Sequence, residues 1–275
     1  MYKINKNSFI NPQGVVSKSI VTELINDKVQ QEKQMNSLDD YLETHVKENH
    51  HPLMKKIMSD FQSFIALHIL SNKSDCIVLD VGCGISKKHP LYFNRLTQNS
   101  SIVYIGLDPF EENQSKRDYL FINGIFEGLS NSLSTKFDYL IFSTCLDHFE
   151  DLDKVKQEIK KVITPNCIVF FWIGVHNTET VAKYRLSYVL FENFKIYNLV
   201  HLITKPLLTP FLILYYFIKS LLKKYKMYKK IPLDNLHFHY FTKKSAEDYL
   251  KEIGEIIDVK PVRLTNSIFY AVRPK

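Results

Sequence analysis

Three short clusters hold the side chains best suited to ligand chemistry. Asp80-Val81-Gly82-Cys83-Gly84 sets an acid before a glycine pair, Tyr104-Ile105-Gly106-Leu107-Asp108 ends an apolar run on a second acid, and Ser143-Thr144-Cys145-Leu146-Asp147-His148 ends another on an acid and an imidazole. A glycine turn lets a ligand approach the backbone and offers amide N–H groups to an anion. A carboxylate at the end of the next strand suits the paired hydroxyls of a ribose. Together they describe a nucleoside pocket; the competing reading is a plain tight turn. A dinucleotide fingerprint needs a third glycine where Lys87 stands, which disfavours a pyrophosphate cofactor. His148 has the side chain whose ordinary pKa suits proton transfer near neutrality, and it is the first choice for a general base. Asp147 either orients that ring or caps a helix that starts near Asp151. His176, His237 and His239 fall near the same edge, and each alone reads as a surface-loop histidine.

The elements that must position these residues follow from the apolar pattern. Continuous apolar runs at 76–79, 101–107, 119–122, 137–142 and 167–173 read as buried parallel strands. Leu152, Val155, Ile159 and Val162 recur at helical spacing between the fourth and fifth. Strands alternating with helices predict an α/β, doubly wound, mostly parallel sheet with its ligand at the carboxyl ends of the strands. Of the eight glycines, Gly82, Gly84, Gly106, Gly124 and Gly128 crowd the 82–128 window, so the special backbone needs lie there. Residues 1–70 read as polar helices, with Val21, Leu24 and Ile25 on one and Phe61, Phe64, Ile65 and Ile69 on a second that packs beside the first strand.

These motifs carry a resemblance. Val78-Leu-Asp-Val-Gly-Cys-Gly84, Tyr104-Ile-Gly-Leu-Asp108 and Phe137-Asp-Tyr-Leu-Ile-Phe-Ser-Thr-Cys-Leu-Asp-His148 resemble the class I S-adenosylmethionine-dependent methyltransferases, in the type 11-like branch that acts on small molecules and lipids. His239-Tyr-Phe-Thr-Lys-Lys-Ser-Ala-Glu-Asp-Tyr-Leu-Lys-Glu-Ile-Gly254 resembles the segment that opens the last helix of that branch, with Ser267–Val272 as its final antiparallel strand. The resemblance implies a Rossmann-like, seven-stranded sheet with helices on both faces and S-adenosylmethionine as cofactor. It places Gly82, Cys83 and Gly84 along the methionine part of the cofactor, Asp80 near its amino group, Asp108 on the ribose and Ser143 at the pocket edge. Where the family offers an acid to adenine, this chain has Ile125, so Ile125 and the backbone of Phe126 would hold the base. Ser86 replaces a further family glycine.

The division expected is a helical region over 1–70, the cofactor-binding core over 71–176, a helical insertion over 177–236 and the closing helix and strands over 237–275. The insertion runs to about sixty residues, far beyond the usual 2–6 of such a connection. The net charge is +7, yet six lysines and no acid lie between Lys219 and Lys230, leaving +1 for the rest. A helix over 211–230 would align Lys219, Lys223, Lys226 and Lys230 on one stripe, which suits an interfacial helix on anionic lipid and equally a lid with a solvated lysine edge. The uncharged run 206–218 is too short to span a bilayer. Cys76, Cys83, Cys145 and Cys167 lack paired spacing, so zinc and disulfides are not expected. No spacing suggests a carboxylate-based metal site either, and the start of the chain lacks a signal peptide pattern. With 45% hydrophobic residues and a mean hydropathy of -0.15, the expectation is a cytoplasmic enzyme, peripheral at a membrane if the lysine stripe docks there. It would methylate a small-molecule or lipid-linked acceptor, more readily at oxygen, with no nucleic acid as partner. The alternatives are an RNA methyltransferase using the lysine block and an inactive, membrane-docked protein that binds the cofactor.

Overall fold

The computed structural model describes residues 1–5, 8–21, 52–71, 75–84, 86–109, 117–175, 237–262 and 265–275, with Leu214, Ile218 and Leu222 as isolated positions. The chain opens with strands β1 (Lys3–Asn5), β2 (Ser8–Ile10), β3 (Val16–Ser17) and β4 (Ser19–Val21), followed by helix α1 (Pro52–Ile69). The core then runs β5 (Cys76–Val81), β6 (Ile102–Asp108), β7 (Leu120–Asn123), the short α2 (Leu129–Ser132), β8 (Phe137–Ser143), α3 (Leu152–Val162) and β9 (Ile163–Gly174). It closes with α4 (Lys243–Ile253), β10 (Gly254–Pro261) and β11 (Ser267–Pro274).

Eight strands form one sheet in the order β10-β11-β9-β8-β5-β6-β7-β4. All neighbours from β9 to β4 are parallel, and β11 lies antiparallel between β9 and β10. Because successive side chains of a strand face opposite ways, Leu79 and Val81 join one apolar cluster and Cys76 and Val78 join the other. Residues of α3 and α4 cover the first face, and α1 covers the second. The expected α/β architecture with helices on both faces is present. Phe61 of α1 packs 5.5 Å from Trp172 and 4.9 Å from Phe269, so this helix reaches across to β9 and β11 as well as toward β5.

Two features correct the expectation. The first twenty-odd residues are strands rather than helix: β1, β2 and β3 make a small antiparallel sheet, and β4 pairs in parallel with β7 as an eighth strand. Ile20 is buried between exposed Val21 and half-exposed Ser19, the alternation of an edge strand, and three residues are too few to show a period in the sequence. Between β5 and β6 the described residues form turns and one 3-10 turn at Leu96–Gln98 rather than a full helix.

The closing elements follow local chemistry. Thr242 caps α4 in a reciprocal pair with Ser245. Gly254 follows directly because a Cβ there would sit 2.0 Å from the Arg273 carbonyl oxygen of β11. The insertion expected over 177–236 lies outside the described residues, apart from Leu214, Ile218 and Leu222, which are helical and exposed. Among the described residues no helix is long and apolar enough to cross a membrane.

Candidate functional site

Parallel pairing of β5 with β6 and β8 brings their carboxyl ends to one edge of the sheet, so Asp80–Gly84, Asp108 and Ser143–His148 become neighbours. Val81 of β5 registers with both Leu107 and Phe142. Gly82 turns the chain out of β5 at φ +70, and Gly84 follows at φ +74. A side chain at Gly82 would also meet Cys145 Cβ at 2.7 Å, so both backbone and space demand glycine there. The amides of Gly82 and Cys83 donate to the Leu107 carbonyl at 2.8 and 3.2 Å. Gly84 N donates to Asp108 Oδ2 at 2.8 Å. The turn and the second acid are thus one hydrogen-bonded unit.

Asp80 lies beneath this turn and is fully buried. Its Oδ2 accepts hydroxyl hydrogen bonds from Tyr92 at 2.8 Å and Tyr104 at 2.5 Å, while its Oδ1 has no partner. Burial pushes the carboxyl up to about 7, with the two phenols pulling the other way and Asp108 adding a smaller push. A buried carboxylate with one bare oxygen lacks a cation or a donor. That fits an ammonium group brought to the turn, as the methionine part of the expected cofactor would bring it.

A second network ties down the far side of the turn. The buried Arg117 donates through one nitrogen to Gly84 O at 3.0 Å, Ser86 O at 3.1 Å and Tyr119 Oη at 2.6 Å, and its guanidinium lies 3.7 Å over the Phe121 ring. Tyr119 in turn donates to Ser86 O at 2.7 Å. The Cys83 thiol points into this network, and burial pushes it well above the usual thiol range, so the thiol stays protonated. Tyr92, Tyr104, Arg117 and Tyr119 went unnoticed in the sequence. Two of them stand inside expected strands, where tyrosine reads as core, and although Tyr104 opens the Tyr104–Asp108 motif, nothing in that motif marks its hydroxyl as a site group.

The remaining expected residues divide. Ser143 is buried at the end of β8, beside the Tyr92 hydroxyl. The Phe126 side chain is core, 5.3 Å from the Phe142 ring, which leaves only its backbone for a ligand. Ile125 lines an open groove of about 970 Å³ together with Glu127, Glu150–Lys154, Lys156, His239, Tyr249 and Glu252. None of Asp80, Asp108 or the Gly82–Gly84 turn lines this groove. Glu127 stands two residues beyond the position where the family acid is missing, and burial raises its carboxyl above the ordinary range.

At the β8 end, Thr144 adopts φ +57, a left-handed conformation that is costly for a branched residue, and its amide donates to Trp172 O at 3.0 Å. The bend delivers the 3-10 turn Leu146–His148. Asp147 does not cap α3: Asp151 does so, accepting from the amides of Asp153 and Lys154. Asp147 instead stands between two imidazoles. His148 Nε2 is 3.9 Å from its Oδ1 and His237 Nε2 is 3.8 Å from its Oδ2, with the rings edge to face at 4.8 Å. Sequence spacing gave no hint of a metal-type cluster, yet these three side chains converge. His239 is set aside by its contact with the Glu150 carbonyl at 3.3 Å, and His176 lies outside the described residues.

Residues 79–171 match the family model described as a methyltransferase domain. None of the curated proteins compared with the chain matches it. Among solved structures, the fold is similar to 1,6-didemethyltoxoflavin-N1-methyltransferase of Burkholderia thailandensis, crystallised with 1,6-didemethyltoxoflavin and S-adenosylhomocysteine bound, at TM-score 0.52 and 11% identity over 90% of this chain and 87% of that one. The PH0226 protein of Pyrococcus horikoshii OT3 aligns at TM-score 0.47 and 17% identity over 83% and 94% of the two chains. The N-methyltransferase NodS of Bradyrhizobium japonicum WM9 aligns at 0.45 and 10% over 82% and 98%. At 11% identity the likeness to the first of these shows the fold alone.

Proposed function

We propose that this chain, in which residues 79–171 form a methyltransferase domain of Rossmann-like fold, transfers a methyl group from S-adenosylmethionine to the oxygen of a small-molecule or lipid-linked acceptor. The observation that carries the reading is the unit made by the Gly82–Gly84 turn, Asp108 bound to the Gly84 amide, and the buried Asp80 beneath. Asp80 acts on the cofactor's ammonium as a negative charge under the turn. Asp108 takes the ribose hydroxyls while its other contact fixes Gly84. Ile125 packs on adenine, and Glu127, in the same groove, supplies the acid that the family places two residues earlier.

Bound there, the cofactor supplies an electrophilic methyl on a sulfonium that is already a good leaving group. The protein then has to align the acceptor in line and keep water out. His148, at the edge where β8 ends, accepts the proton of the acceptor hydroxyl, and Asp147 orients its ring. For a lipid-linked acceptor, the positive charge of Lys219, Lys223, Lys226 and Lys230 brings the enzyme to an anionic surface. Changing the first three to Glu should then abolish sedimentation with anionic vesicles, and an unmodified protein that stays in the supernatant removes the membrane from the proposal.

The direct test is calorimetry of the full chain with S-adenosylmethionine, beside Asp108→Ala. Saturable heat and a raised melting temperature, both weakened in the variant, support the function. No heat in the unmodified chain refutes it. A methyl-donor assay on cell extract then finds the acceptor.

A further inference from the structure

We propose that Asp147, His148 and His237 form a binding site for one divalent first-row transition-metal ion, with Zn²⁺ the best match. One ligand atom from each residue lies within 4.8 Å of the others, and the carboxylate sits between the imidazoles at 3.8 and 3.9 Å. Ligands that share an ion at bonds of about 2.0–2.2 Å are roughly 3–3.5 Å apart. Closing on an ion therefore takes rotations of the three side chains and leaves the backbone in place.

The backbone is already set for this. His148 N donates to Cys145 O at 3.0 Å within the 3-10 turn. Phe238 N donates to Asp147 O at 2.8 Å, and His239 N donates to the same oxygen at 3.3 Å, so the residue after His237 is bonded to the ligand turn itself. Two imidazoles and one carboxylate select zinc, cobalt or nickel over calcium and magnesium, which ask for oxygen ligands throughout. The side chains are 28%, 35% and 21% exposed, so coordination positions remain open to water.

The inference rests on the reading of this edge as the acceptor side and adds a consequence. An ion on His148 Nε2 leaves the neutral ring's proton on Nδ1, so the ring has no lone pair left with which to take the acceptor's proton. An occupied His148 cannot take that proton, so methyl transfer that depends on its imidazole as the base is blocked while the ion is bound.

The full chain, treated with EDTA and desalted, is titrated with ZnCl₂ by calorimetry and with CoCl₂ by visible absorption. One ion per chain is expected, with cobalt ligand-field bands that zinc displaces. Asp147→Asn and His237→Ala should each weaken affinity at least tenfold, with their melting temperatures and S-adenosylmethionine heats reporting that they fold. In the unmodified chain, Zn²⁺ should protect His148 and His237 from diethylpyrocarbonate, read by peptide mass, while His239 reacts as before. No stoichiometric ion, equal affinity in both variants, or an unprotected His148 overturns the site. The S-adenosylmethionine heat is measured separately on the same metal-free protein, so loss of the cofactor reading and loss of the metal site give different results.

Discussion

Replacing Asp80 by Asn tests the centre of the site through a quantity that the structure sets. The buried carboxyl titrates near 7, against about 3.9 for an ordinary aspartate. Because the folded value is the higher one, the folded state prefers the protonated acid, and stability is greatest below the unfolded value and falls as pH rises through about 7. At about 1.4 kcal/mol per pKa unit, the loss is roughly 1.5 kcal/mol at pH 5 and roughly 4 kcal/mol at pH 8. Asn keeps a carbonyl to accept from Tyr92 and Tyr104 but does not ionise. Its stability relative to the unmodified chain should therefore grow by about 2–3 kcal/mol between pH 5 and pH 8, or roughly 5–10 °C in melting temperature for a chain this size. Circular dichroism melts at the two pH values read this directly. Cofactor binding should move the opposite way. An ammonium beside the site favours ionised Asp80, so the unmodified chain should release a proton on binding near pH 7 and bind more tightly at pH 8 than at pH 6. The Asn variant should bind about tenfold or more weakly at pH 8, with no proton release in buffers of different ionisation heat. Parallel melting curves for the two proteins would show that Asp80 is ionised throughout, and the account of its bare oxygen would fall.

The other perturbations separate turn, tether and bend. Gly82→Ala forces φ +70 on a residue with a Cβ and drives it against Cys145, so it should cost about 2 kcal/mol or more and abolish cofactor heat; a normal melt would contradict the turn geometry. Asp108→Ala should weaken S-adenosylmethionine by roughly 1–3 kcal/mol in calorimetry, since it unpairs the ribose and releases Gly84 together. Thr144→Gly relieves a left-handed branched residue on the surface and should raise stability by about 1 kcal/mol in urea unfolding, whereas a loss would show the bend to be unstrained. Once an acceptor is found, His148→Ala should slow turnover about a hundredfold or more and leave cofactor affinity unchanged.

What the sequence disclosed and what it hid follow from the range of the forces involved. The strands from β5 to β9 and the ends that carry Asp80, Gly82, Gly84 and Asp108 were legible because each is a contiguous apolar run closed by a turn residue, a signal held within a few positions. Helix α3 was legible in its periodicity, and only its cap was ambiguous: Asp147 and Asp151 both had the chemistry, and hydrogen-bond geometry alone chose Asp151. The edge strand β4 was illegible because it exists only through pairing with β7, a partner far along the chain. Tyr92, Tyr104 and Arg117 were hidden for a different reason. A tyrosine in an apolar run contributes area wherever it points, and nothing local says that its hydroxyl meets Asp80. His237 is the extreme case. It stands next to His148 because the chain returns along the β8 edge to pair Phe241 with Val175 and start α4, so the cluster with Asp147 is a product of topology rather than spacing. A metal search based on intervals in the sequence therefore fails here even though the donor atoms converge. The same physics makes the cluster sensitive to how the return segment is held, and it ties the state of His148 to a backbone bond between Phe238 and Asp147 that no motif records.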